Sequence, residues 1–209
     1  YDEVIRNVEE ILAVDKSRAY MNRLAGYSSF EKKNADYDKA LSYMEELFKA
    51  LPADRILWKD HHYMARILMR KNQNFTKLAD ELASLQGQLE KEQSKYASAP
   101  AATKPKLKPA LDELTAKVEE AKLKVDKANQ EIDRGFSEYE KVLEMKPQDK
   151  GLLSEMASNY YNFKRYDKAA KTWAMLIDPA NEKVEDFMQI GRAYYIGEKY
   201  KSADSVFNL

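Results

Sequence analysis

Apolar residues recur along this chain at i, i+3, i+4 and i+7, the period of one helix face rather than of a strand. The pattern is clearest where "NYYNFKRYDKAAKTW" (159–173) is echoed by "AYYIGEKYKSADSVF" (193–207). Met156 aligns with Ile190, Ala157 with Gly191, Tyr160 with Tyr194 and Tyr161 with Tyr195, a separation of 34 residues (190 less 156). In the same register Tyr166 meets Tyr200, Ala169 meets Ala203 and Trp173 meets Phe207. A fixed period of this size predicts stacked supersecondary units. Each unit reads as two amphipathic helices around "FKR" or "GEK". The small residues let the two helices of a hairpin approach, and Tyr160, Tyr166, Tyr194, Tyr200, Trp173 and Phe207 are expected to pack between hairpins.

Other stretches fit the same register. "YDKALSYMEELFKALP" supplies Tyr37, Ala40, Leu47 and Pro52, and "FSEYEKVLEMKP" supplies Tyr139, Val142 and Pro147. "YDEVIRNVEEILAVDK" reads as another second helix, through Tyr1, Val4, Val8 and Ile11. About two extra residues precede Tyr37, which predicts a longer first helix there. The set resembles the tetratricopeptide repeat, over all but roughly 76–131. The resemblance implies an all-α, right-handed solenoid of helical hairpins, built from 1–75 and 132–209. Tyr1 and Leu209 then fall at or inside second helices, so the chain is expected to be a piece of a longer array. The many Tyr, Lys and Asn residues are similar in style to bacterial repeat proteins of the cell envelope, which favours envelope or periplasm over cytoplasm.

The third unit opens with "WKDHHYMARILMRKNQNF" and then departs. Leu78, Leu82, Leu85 and Leu89 form one seam; Leu111, Leu114, Val118, Ala121, Val125, Ala128 and Ile132 form another. Alternating three- and four-residue spacings of this kind predict coiled-coil packing. Residues 76–131 therefore read as an inserted antiparallel hairpin of two helices, each about 20 residues and roughly 30 Å long. Pro105 and Pro109 place the reversal in "ASAPAATKPKLKPA". The returning helix should run unbroken into the second helix near Ile132–Met145. Ala121 and Ala128 bury little area, so that part should be the softer one. The tip presents Lys104, Lys106 and Lys108 with no acid foreseen beside them.

Composition narrows the function. Thirty-five basic and 35 acidic residues leave no net charge, which gives no footprint for nucleic acid. No stretch reaches the roughly 20 apolar residues of a membrane span. Cysteine is absent, and His61 and His62, the only histidines, are neighbours that point about 100° apart on a helix and cannot share one metal. Asp60 beside His61 reads as a helix surface. These features predict a non-enzyme without cofactor or metal.

The resemblance implies instead a scaffold that binds a protein or extended peptide in its concave groove, with the hairpin as a second contact surface. Arg23, Tyr27, Lys59, Tyr63, Arg66, Tyr161, Asn162, Met188, Arg192 and Tyr195 are the expected groove residues, since tyrosine and arginine dominate interface energetics. The family's carboxylate clamp needs lysine and asparagine where this chain has Lys59 with Tyr63, Ser154 with Ser158, and Met188 with Arg192, so that clamp is not expected. The alternative is an architectural module that positions other domains and self-associates through the hairpin.

Overall fold

The computed structural model describes residues 1–181 and 183–208; the expected position of Leu209 lies outside them. The described residues are helical, without strands. The α-helices are α1 (Asp2–Val14), α2 (Asn22–Glu31), α3 (Tyr37–Ala50), α4 (Trp58–Lys71), α5 (Phe75–Ser98), α6 (Lys104–Met145), α7 (Lys150–Asn162), α8 (Tyr166–Ala174), α9 (Val184–Ile196) and α10 (Tyr200–Phe207). Short 3₁₀ turns precede α2 and α4. The chain divides into two compact units, residues 1–71 with 132–209 and residues 72–131.

In the first unit each helix packs on its chain neighbour. Met44, Leu47, Met64, Ile67 and Leu68 are fully buried where α3 meets α4, each contributing on the order of 2 kcal/mol by leaving water. Gly135 of α6 sits so close to Leu68 and Met69 of α4 that a Cβ there would collide. Phe136 stacks on Tyr160 of α7 with ring centroids 3.9 Å apart. Ala157, Ala169 and Ala203 are buried, and a Cβ on Gly191 would run into the Phe207 ring. The small residues of the repeat therefore sit where helices approach.

The 34-residue period extends to the backbone. α7 and α9 are both 13 residues long, and Lys164 and Glu198 adopt φ of 60° and 59°. Arg165 N–H donates to Tyr160 O and Lys164 N–H to Tyr161 O. The same two bonds run from Lys199 to Tyr194 and from Glu198 to Tyr195. This is the Schellman closure of a helix C-terminus, with a left-handed residue just past its end.

Three expectations change. α2 is shorter than α7, 10 residues against 13, and the extra residues before Tyr37 lie in the 32–36 connection instead. There Asp36 caps α3 by accepting from Lys39 N–H at 3.0 Å, which fixes the helix start at Tyr37 whatever precedes it. Tyr200 is 58 % exposed rather than packed. The reversal is confined to 99–103, because α6 begins at Lys104. Pro105 is the second helical residue, where its missing N–H would have had no partner, and Pro109 removes only one internal bond.

In the second unit α5 and the first part of α6 lie side by side. Leu78 and Leu85 share a small gap with Ala121 and Lys124, while Lys104 Nζ sits 5.5 Å from the Tyr96 ring centroid at the other end. The two helices thus run antiparallel, and the gap opens where alanine fills least. Lys108 binds Asp112 at 2.9 Å, so the basic start of α6 is partly neutralised, contrary to the reading of the tip as free of acids. One helical turn separates the two side chains, which puts them on one face. α6 itself is continuous over 42 residues.

Candidate functional site

The ten expected groove residues separate into two groups. Arg23, Tyr27, Lys59, Tyr63 and Arg66 lie on α2 and α4. At their centre is Asp60, third residue of α4 and fully buried. Its carboxylate accepts from Arg23 Nε at 2.7 Å, from a second Arg23 nitrogen at 2.8 Å, from the Tyr27 hydroxyl at 2.7 Å and from Leu57 N–H at 2.7 Å. The last bond reaches back to the residue before the helix, as in half of a capping box. Burial and the bond to Asp60 push the Tyr27 phenol far above its usual range, so it stays a donor at any physiological pH.

The Tyr27 ring stacks on Tyr63 at 3.7 Å, and Tyr63 donates to Glu31 at 3.0 Å. Arg66 covers the Phe30 ring at 4.8 Å and lies 3.6 Å from Glu31 and 3.5 Å from Glu155. Lys59 is exposed, 5.6 Å from the Trp58 ring centroid. Four of the five residues are thus engaged in a network that joins α2, α4 and α7.

The histidines extend that network. His61 Nδ1 meets Glu138 of α6 at 2.5 Å in a buried position, and His62 Nε2 meets Glu155 of α7 at 3.0 Å. Being about 100° apart, the two imidazoles tie α4 to two different helices. Burial pushes the Glu138 carboxyl up, but bonds from His61 and Lys141 outweigh it and leave the group below its ordinary value. Burial of Glu155 is likewise outweighed, by His62, Tyr139 and Arg66. The reading of Asp60–His61 as a helix surface is corrected here: both are buried. Charge alone suggested exposure; Arg23, 37 residues away in sequence, supplies the compensation that a single stretch of sequence does not display.

Tyr161, Asn162, Met188, Arg192 and Tyr195 form the second group, and all five line one open cleft of about 920 Å³. α7 supplies Ser158, Tyr161 and Asn162; α9 supplies Val184, Glu185, Met188, Gln189, Arg192 and Tyr195. Trp173 packs between hairpins as expected, against the buried cluster of Ala170, Ile190 and Ala193, and also closes one wall. Phe207, expected there too, is 46 % exposed and closes another. Met188 is 54 % and Tyr195 61 % exposed. Tyr161 rests on Trp173 at 5.6 Å, and Tyr195 on Tyr200 at 5.5 Å. Such a cleft offers apolar area, aromatic faces and a few polar groups, the composition of a binding site.

Sequence reasoning missed Val184 and Glu185, whose position in the register, one turn before Met188, was the available signal. Among the described residues no group of three or more His, Cys, Asp or Glu side chains is placed to hold a metal, and no helix is long and apolar enough to cross a membrane. No known family pattern matches this chain, and no curated protein sequence matches it.

Proposed function

We propose that this chain is a non-enzymatic scaffold of the tetratricopeptide type. It binds a protein or an extended peptide along its first helices, and the α5–α6 hairpin offers a second contact surface. The observation that carries the reading is the cleft between α7 and α9, where five of the ten expected groove residues converge on exposed apolar area. Exposed aromatic and methionine side chains in one concavity are characteristic of interaction sites. The 34-residue recurrence of helix lengths and helix ends supports the repeat assignment.

Panning a random peptide library against the wild-type chain and against the Met188→Ser/Tyr195→Ser variant tests the reading. Peptides retained by the first and lost by the second support it. Equal retention, or no enrichment on either, would count against it. A second reading, self-association through residues 72–131, rests on Leu123, an apolar side chain 71 % exposed on α6. Light scattering separates the two, since that reading requires a dimer that Leu123→Glu dissolves.

A further inference from the structure

The cleft's charges narrow the ligand, on the reading just proposed. Glu185 and Arg192 both line it and both belong to α9. Seven residues are close to two helical turns, so the two side chains leave one face of α9 about 10 Å apart. Neither makes an ion pair or hydrogen bond among the described residues. This sets them apart from the α2–α4 face, where Arg23 is held by Asp60 and Arg66 lies between Glu31 and Glu155. Met188 lies between them along α9 and is half exposed, giving an apolar floor. Tyr161, Trp173 and Tyr195 stand around it.

A floor with an unpaired acid at one end and an unpaired base at the other complements a strand carrying the opposite order. The spacing selects the conformation. In a polyproline II segment the side chains at i and i+3 share a face and stand about 9 Å apart, while in a β-strand the same two point to opposite faces. Aromatic-lined grooves suit the polyproline form, which arrives already extended and loses little entropy on docking.

We infer that the α7–α9 cleft takes an extended, polyproline-II-like peptide segment with an acidic residue against Arg192 and a basic residue three positions away against Glu185. The two intervening residues are apolar and turn towards the tyrosine and tryptophan walls. Glu185 and Arg192 act as a charge ruler that fixes the register of the segment.

Four fluorescent peptides test this by anisotropy at low ionic strength. They share a central Glu-Pro-Leu-Lys, in which the two charged positions are kept, both made Glu, both made Lys, or both made Gln. The mixed-charge peptide is expected to bind the wild type tightest, with each mismatched charge weakening it about threefold, the usual worth of an exposed ion pair. In Glu185→Lys the preference should move to the peptide with two glutamates. Equal affinity for all four, lost in Tyr195→Ser, would leave the groove reading standing and overturn the charge ruler. No binding by any of the four to the wild type would overturn both.

Discussion

Two tyrosine pairs, one on α2 and α4 and the other on α7 and α9, meet different fates. Tyr27 and Tyr63 stack at 3.7 Å and donate to Asp60 and Glu31. Tyr161 and Tyr195 line an open cleft, and each rests on an aromatic of its own hairpin rather than on the other. The difference lies in what the neighbouring helices supply. α2 and α4 bring two arginines and two carboxylates within reach of the phenols, so the polar groups satisfy one another and the face closes. α9 brings one arginine and one glutamate seven residues apart, too distant to pair, and the face stays open. A tyrosine's register position decides which side of a helix it occupies; the charges around it decide whether that side remains free for a partner.

The largest test of the closed region removes its centre. Asp60→Ala strips four donors of their acceptor and leaves the Arg23 guanidinium without its counter-ion. Breaking a buried pair costs about 3–5 kcal/mol, and the lower end applies because Arg23 keeps 22 % of its side chain in solvent. Urea unfolding should therefore show a loss of about 3 kcal/mol. A loss below 1 kcal/mol would mean that the network is incidental to folding.

That network also marks where the sequence stopped being readable. The helical hairpins could be seen because their apolar positions repeat at 34 residues, and the small residues at 157, 169, 191 and 203 could be assigned to close approach for the same reason. Asp60 could not, since its burial depends on Arg23 and Tyr27 of α2, and nothing in "KDHHY" announces that contact. The α6 start was misjudged because proline is a poor guide within the first turn or two of a helix. Lys164 and Glu198 gave no sign of a left-handed backbone; glycine is the usual marker, and Gly197 stands one residue before it. Five cleft residues were legible from the repeat register alone, while Phe207 was read as packed between hairpins because the same register serves both roles. Trp173 fills both, resting on the Ala170, Ile190 and Ala193 cluster and lining the cleft.

The next effect is one of pH. Glu138 and Glu155 are both held below their ordinary value of 4.5, despite burial, by bonds to His61, Lys141, His62 and Tyr139. A depressed carboxylate contributes stability that is present above the unfolded value and lost as pH falls through the folded one. Stability should therefore decline as pH drops below about 4.5, and Glu138→Gln with Glu155→Gln should flatten that decline. Urea midpoints measured between pH 6 and pH 3 read the slope. An unchanged slope in the double variant would place acid sensitivity elsewhere and remove these bonds from the account of why the α4–α7 side is closed.

A smaller change, of opposite sign, is expected where the two repeats are alike. Lys164 and Glu198 both occupy the left-handed region, which glycine enters without the steric cost of a Cβ. Lys164→Gly and Glu198→Gly should each stabilise the chain by about 0.5–1 kcal/mol. Equal gains at both sites would show the two hairpin ends to be energetically equivalent, so that the openness of the cleft owes nothing to a weaker turn.

The smallest effect on stability belongs to the cleft, and it is the most informative about function. Tyr195 is mostly in solvent, and Met188 is half exposed, so Met188→Ser with Tyr195→Ser removes little buried area and should change unfolding free energy by no more than about 0.5 kcal/mol. The same pair should abolish peptide capture. Tyr63→Ala with Arg66→Ala makes the contrasting case: it dismantles the stack on Tyr27 and the contacts with Glu31 and Glu155, so weakened capture there would follow from a loosened fold. A cleft variant that lost more than about 1.5 kcal/mol would behave like a core variant. Tyr161 and Tyr195 would then be packing residues with one wet face, and the division between a closed and an open tyrosine pair would fall.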